Sequence, residues 1–225
     1  MPRMSLSQVV ERLQAHYGQP KVPRLSGPWV MILWENVAYL VDDNRRREAF
    51  QTLKKRIGTE PGRIVSASDE ALLDVTRLGI LAEQFAKTLR QCARIALEEF
   101  DGDLRPALKL PFAKAKKALQ KFPGIGEPGA EKILVLTRTY PALALDSNGL
   151  RVLLRLRFGE EKKNYSTTYC LLQKAAEEGL VKGFSWLIQA HLFLRHYGQE
   201  LCRRSEPRCD ECPLSADCEF RLSGS

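Results

Sequence analysis

The stretch Phe122-Pro-Gly-Ile-Gly-Glu-Pro-Gly-Ala130 decides the fold. It is too short and too glycine-rich to be anything but a tight turn. Gly124, Gly126 and Gly129 let the backbone turn sharply and approach another surface closely. Helical patterns flank it, over 112–121 before and 130–138 after. Backbone amides opening the second helix suit a phosphate, and amides of this kind grip a DNA backbone without reading its sequence. A plain interhelical turn would look the same, so the stretch carries little functional weight alone.

Outward from this turn the chain reads as helix almost throughout. Apolar positions recur at helical spacing over 5–17. A Pro/Gly-rich linker from Gly18 to Pro28 follows. Residues 29–41 (Trp-Val-Met-Ile-Leu-Trp-Glu-Asn-Val-Ala-Tyr-Leu-Val) are apolar on nearly all faces and predict a central buried helix. Glu35 and Asn36 interrupt it, which is costly in a core unless both are paired or functional. Asp42, Asp43 and Asn44 cap a helix to about Ile57. Ser66 with Asp69 reads as a capping box opening a helix through Arg77, which Gly79 ends. Further helices are expected over 81–99, 103–109, 112–121, 130–138, 148–157, 165–177 and 181–197. No strand pattern and no internal repeat stands out.

The 225 residues suffice for one large domain or two small ones. Lys and Arg number 35 against 27 Asp and Glu, a net charge of +8 that suits a polyanionic partner. No stretch approaches 18 uncharged apolar residues, so no membrane span or membrane partner is expected. Met1 to Ser5 shows no secretory signal. Four of six cysteines, Cys202, Cys209, Cys212 and Cys218, cluster with the spacing C-x6-C-x2-C-x5-C. Without an export signal this reads as a metal site rather than disulfides. Structural zinc usually pairs two short knuckles; only one is short here, which favours [4Fe–4S] and leaves zinc open. Cys92 and Cys170 read as small core residues. Asp146, in Leu145-Asp-Ser-Asn-Gly-Leu-Arg-Val152, precedes a helix and on its own reads as an N-cap.

Turn, aspartate and cysteine cluster stand in the order found in the endonuclease III/MutY superfamily of helix-hairpin-helix DNA glycosylases, which the chain resembles from about 25 to 220. Phe122 to Ala130 resembles that family's Leu-Pro-Gly-Val-Gly hairpin. Asp146 falls where its catalytic aspartate stands, and Cys202 to Cys218 is similar to its [4Fe–4S] loop. The resemblance implies an all-α fold in two lobes: a six-helix lobe over 23–137 ending in the hairpin, and a cluster lobe combining 1–22 with 138–225. Bifunctional members carry a nucleophilic lysine where this chain has Pro128. Lys121 and Lys132 are near in sequence, but neither matches that position. The resemblance therefore implies base removal without efficient strand cleavage. A bifunctional enzyme using another lysine and a non-catalytic damage-binding protein are the alternatives.

Asp146-Ser-Asn-Gly-Leu-Arg-Val-Leu-Leu-Arg155 resembles the corresponding stretch of MutY. Glu35 follows Pro28 by seven residues, as MutY's second carboxylate follows its proline. MutY's Gln-Gln-Thr is replaced by Tyr39, Leu40 and Val41, and the domain that reads 8-oxoguanine has no counterpart after Cys218. The base removed is therefore not implied. In this reading Asp146 stabilises the oxocarbenium-like sugar and Asn148 orients Asp146 or water. Glu35, its pKa raised by apolar surroundings, protonates the departing base or holds a water that does. Phe122, Gly124, Gly126, Gly129, Ala130, Arg151, Arg203, Arg204 and Arg208 would face the DNA. Trp34 and Tyr39 would stack on an extruded base or fill its gap, if they are not core. His191 and His196 read as structural or phosphate-proximal. The expected partner is duplex DNA with a damaged or mispaired base, bound by a cytoplasmic, nucleoid-associated monomer in a cleft between the lobes.

Overall fold

The computed structural model describes residues 4–20, 22, 27–38, 41–178 and 183–223, and every regular element among them is helical. The chain folds as two compact units, Met1–Pro23 with Tyr140–Ser225, and Arg24–Thr139. Helix α1 (Leu6–Tyr17) belongs to the first unit. Ser5 caps it in a full capping box with Gln8, and Leu6, Val9, Val10 and Leu13 form its buried face.

The second unit runs through α2 (Pro28–Asn36), α3 (Asp43–Arg56), α4 (Pro61–Ser66), α5 (Asp69–Thr76), α6 (Ala82–Phe100), α7 (Arg105–Leu108), α8 (Phe112–Leu119) and α9 (Glu127–Leu136). Pro28 opens α2 at its first position, where a missing N–H costs nothing. Leu33 of α2, Phe50 and Leu53 of α3, Leu72 of α5 and Leu89 of α6 meet in one core. Each large side chain so buried is worth about 1.5–3 kcal/mol.

Several local expectations need correction. Helix α2 stops at Asn36, shorter than the expected 29–41, and residues 39–40 lie outside the described residues. Helix α4 has no counterpart in the sequence reading. Ser66 ends α4, its hydroxyl donating back to Gly62 O at 3.0 Å. Ser68 caps α5 instead, accepting from Ala71 N at 3.2 Å. Helix α9 begins at Glu127, three residues early, because Pro128 fits a first helical turn. Cys92 is buried, but Cys170 is exposed and not a core residue.

In the first unit, α10 (Ser147–Arg155), α11 (Tyr165–Glu177) and α12 (Phe184–Glu200) carry the chain to the cysteine loop, which ends in the short α13 (Glu219–Leu222). Helix α12 packs against α1 and α10. Gly198 is what lets α10 and α12 touch: a Cβ there would stand 2.8 Å from Asn148 Cβ and 3.0 Å from Asn148 O.

Candidate functional site

In the first unit, Asp146 is the N-cap of α10. Its Oδ1 accepts from Asn148 N at 3.0 Å and from Gly149 N at 2.8 Å. The N-cap reading and a functional one are thus compatible, because the two capping amides engage one oxygen and leave the other to different groups. Asn148 Nδ2 donates to Oδ2 at 3.3 Å. Arg195 of α12 brings Nε to 3.4 Å from the same oxygen, the two side chains being 20% and 23% exposed. Tyr165, half-exposed at the start of α11, has its phenol pKa raised by burial and then by the Asp146 charge. The sequence reading missed both neighbours. Arg195 carried a usable signal, a charge inside the apolar run Leu192-Phe-Leu-Arg-His-Tyr197; Tyr165 carried none.

Asn148 Oδ1 accepts from Arg151 Nη2 at 2.9 Å. Arg151 also donates to Gly198 O at 2.7 Å and to Cys202 O at 3.0 Å. Expected to face DNA, Arg151 instead directs these donors at the end of α12 and the first cysteine. Burial lowers its pKa, as removal of a guanidinium from water must. His191 is buried and bonds Ala144 O at 2.9 Å, a structural role. His196 pairs with Glu200 at 3.1 Å.

Cys202, Cys209, Cys212 and Cys218 line one pocket, together with Arg155 and Tyr197. Arg155 Nη1 donates to Cys202 Sγ at 3.3 Å, and Leu214 N to Cys212 Sγ at 3.3 Å. Tyr197 Oη stands 2.9 Å from Cys212 Sγ. Among the described residues, no group of three or more His, Cys, Asp or Glu is placed to hold a metal ion. The four thiols line one pocket, with N–H donors aimed at two sulfurs, a donor set whose chemistry would fit an iron–sulfur cluster. Arg155 further donates to Arg203 O at 2.6 Å and Arg204 O at 3.2 Å, fixing the loop backbone. The side chains of Arg203, Arg204 and Arg208 are exposed.

The second unit holds the hairpin, α8 and α9 joined by residues 120–126. Of its three glycines only Gly124 has positive φ, +79°, and a Cβ there would collide with Asn36 Oδ1. Gly126 is extended and Gly129 helical, conformations open to any residue. Asn36, 1% exposed, donates to Pro123 O at 3.2 Å and to Ile32 O at 3.0 Å, so this polar interruption of α2 pins the turn. Cys92 lies under the same turn, and burial pushes its thiol up to about 12. Phe122 is buried and stacks on Phe100 with centroids 5.5 Å apart, and Ala130 is fully buried. Both can offer a ligand only backbone atoms. Trp34 packs edge-on against Phe50 at 5.5 Å, as part of the core. Tyr39 lies outside the described residues.

Glu35, the other interruption of α2, pairs with Lys132 of α9: Nζ to Oε2 is 2.7 Å, with the side chains 21% and 16% exposed. A cation this close favours the ionised carboxylate, the opposite of what apolar burial does. Lys121 is ion-paired to Glu99. Glu127, in the first turn of α9, is neutralised by Lys116 at 2.6 Å, and Glu131 shares that ammonium at 3.1 Å. No described helix is long and apolar enough to cross a membrane.

No family model matches the chain. Endonuclease III of Thermotoga maritima is 26% identical over 162 residues, 71% of this chain and 68% of that protein. Endonuclease III of Sulfolobus acidocaldarius is 24% identical over 177 residues, 77% of this chain and 74% of that protein, and that of Bacillus subtilis is matched over 62% of its length. A trapped covalent intermediate of endonuclease III with DNA, an estranged-adenine complex, superposes with a TM-score of 0.77 at 17% identity, over 98% of this chain and 99% of that one. A thermostable thymine-DNA glycosylase superposes with a TM-score of 0.75 at 18% identity, over 97% of each chain. All-helical units, hairpin, capped aspartate and cysteine loop thus accompany a sequence similarity to endonuclease III and the fold of these solved structures.

Proposed function

We propose that this chain is a monofunctional DNA glycosylase of base excision repair, removing a damaged or mispaired base from duplex DNA as a monomer. The observation that carries this reading is the Asp146 carboxylate, with one oxygen fixed by two helix-capping amides and the other held at its edge by Asn148 and Arg195. The target nucleotide must leave the stack before its glycosidic bond can be reached. As the C1′–N bond breaks, its electron pair leaves with the base and positive charge grows on the sugar. A fixed carboxylate stabilises that charge. Water adds its oxygen to C1′ and gives up a proton that balances the one the departing base takes up, giving free base and an abasic site.

Pro128 at N2 of α9 supports the absence of strand cleavage, since proline offers no amine for a Schiff base. Lys121 and Lys132, the nearby amines, are ion-paired, which disfavours the bifunctional alternative. Glu35 assists departure as an ionised group paired with Lys132 rather than as a resting acid. The amides of Gly124 to Gly129 and the exposed Arg203, Arg204 and Arg208 are the proposed phosphate contacts. Cys202, Cys209, Cys212 and Cys218 would hold a [4Fe–4S] cluster, which when bound orders the loop that presents those arginines.

The test is release of free base, followed chromatographically, from duplexes containing mismatched A, T or U, oxidised pyrimidines, 8-oxoguanine pairs or alkylated purines. The reading expects release from at least one duplex and a loss of about 100-fold or more with Asp146→Asn. Release by Asp146→Asn at the wild-type rate would overturn the role given to that carboxylate.

A further inference from the structure

We propose that Arg195 is the positioning residue of the Asp146 site, holding the carboxylate ionised and fixing the orientation of its Oδ2. This rests on the glycosylase reading above. Two backbone amides take Oδ1, so Oδ2 carries the remaining reactivity of the group. Asn148 Nδ2 at 3.3 Å and Arg195 Nε at 3.4 Å approach Oδ2, and of these two Arg195 alone is charged.

A helix N-cap does not need an arginine. Ser5, Ser68 and Asn164 cap α1, α5 and α11 with side-chain acceptors, and Asp42, the aspartate capping α3, meets an exposed arginine of its own helix, Arg45 at 3.9 Å, rather than one brought from another helix. Arg195 is 20% exposed, and placing a guanidinium there is costly unless a countercharge answers it. The separation is longer than in a close charge-assisted hydrogen bond. At this distance the cation holds the carboxylate charged while leaving Oδ2 room to face a developing oxocarbenium.

The other groups facing Asp146 do not substitute for it. From α11, Tyr165 is a neutral phenol at ordinary pH, its pKa raised rather than lowered. From α10, Arg151 is directed at Asn148 Oδ1, Gly198 O and Cys202 O. From α12, His191 bonds Ala144 O through Nδ1. Arg195 is thus the cation placed to meet the carboxylate.

The experiment is a carboxyl-detected NMR titration of the full chain, with Asp146→Asn used to assign the resonance, in wild type, Arg195→Gln and Arg195→Lys. Removing the charge should move the Asp146 midpoint up by about one pH unit or more, and lysine should restore most of it. In parallel, single-turnover base release is measured against pH on whichever duplex of the panel the wild type acts on. The acid limb of the Arg195→Gln profile should move up by the same amount, with its plateau lowered about tenfold and DNA affinity within about twofold. An unchanged midpoint in Arg195→Gln overturns the inference, as does a defect confined to DNA affinity. If Arg195→Gln does not fold, an Arg195→Lys midpoint displaced as far as that of an uncharged group would overturn it too. A shifted midpoint with no base released by wild type from any duplex would instead defeat the glycosylase reading, and with it any catalytic use of the positioning.

Discussion

Replacing Gly198 by alanine tests whether the contact between α10 and α12 sets the Asp146 site. The added Cβ would stand 2.8 Å from Asn148 Cβ, 3.0 Å from Asn148 O and 3.1 Å from Asn148 C. Carbon atoms in contact prefer about 3.5–4.0 Å, so the helices must part by about 0.7–1.2 Å. Two of the three obstacles are backbone and cannot swing aside. Overpacking of this kind costs about 1–3 kcal/mol. Alanine recovers up to about 1 kcal/mol of helix propensity over glycine. The net expectation is a loss of about 1–2 kcal/mol, read as a fall in Tm of about 2–8 °C. Activity should fall further than stability, because the residue pushed is Asn148, which bonds both Asp146 Oδ2 and Arg151. A displacement near 1 Å at such a group can cost about 100-fold in rate. Gly62→Ala in α4 is the control: a Cβ there meets nothing within 4 Å, so Tm should rise slightly. Thermal melts and single-turnover base release read both variants. A Gly198→Ala protein with wild-type Tm and rate would refute the argument.

Other outcomes follow from the same geometry. Gly124→Ala should cost more than about 1 kcal/mol, since a Cβ meets both the strain of φ +79° and Asn36 Oδ1; chemical denaturation checks it. Glu35→Gln breaks the pair with Lys132. If the substrate is a neutral base whose departure the Glu35–Lys132 pair assists, activity should vanish, whereas retention of most activity would point to a base already charged, such as an alkylated purine. Cys92, pushed up to about 12 from a usual 9.0, stays a thiol in the folded protein, so its contribution to stability is full below pH 9 and is lost as pH rises from 9 towards 12. Alkylation at pH 8.5 should modify exposed Cys170 and spare Cys92 in the native state, as mass spectrometry of peptides would show. Cys202→Ala should remove the iron and brown colour of the purified protein, measured by metal analysis against about four irons per chain; one zinc in the wild type would contradict the cluster.

The tight turn at Phe122 to Ala130 was legible because its glycines and prolines interrupt two helical patterns, and the cysteine loop because its spacing is a local pattern, although the turn alone did not say what it binds. The helices were legible where apolar spacing was regular, as over Leu6–Tyr17 and Tyr165–Glu177. Helix α4 escaped notice because six residues opened by Pro61 are too short to show a period. Glu35 and Asn36 announced themselves as polar residues in an apolar run, but not their partners. Lys132, Pro123 and Cys92 stand far along the chain, and only the fold brings them together. Arg151 shows the opposite limit. Its place in a motif suggested a DNA contact, while its donors go to backbone carbonyls that no spacing rule locates. Likewise a Gly-rich turn does not say which glycine is indispensable; φ and the packing of Asn36 single out Gly124.

The central claim is base removal without strand cleavage. It is tested most directly by incubating the purified full chain with end-labelled duplexes of the lesion and mismatch panel, then dividing each reaction between hot alkali and no treatment. The account predicts breaks at the target base only after alkali, and no protein–DNA adduct trapped by borohydride. Breaks without alkali, with a borohydride-trapped adduct, would contradict it and show that an amine other than one at position 128 attacks the sugar.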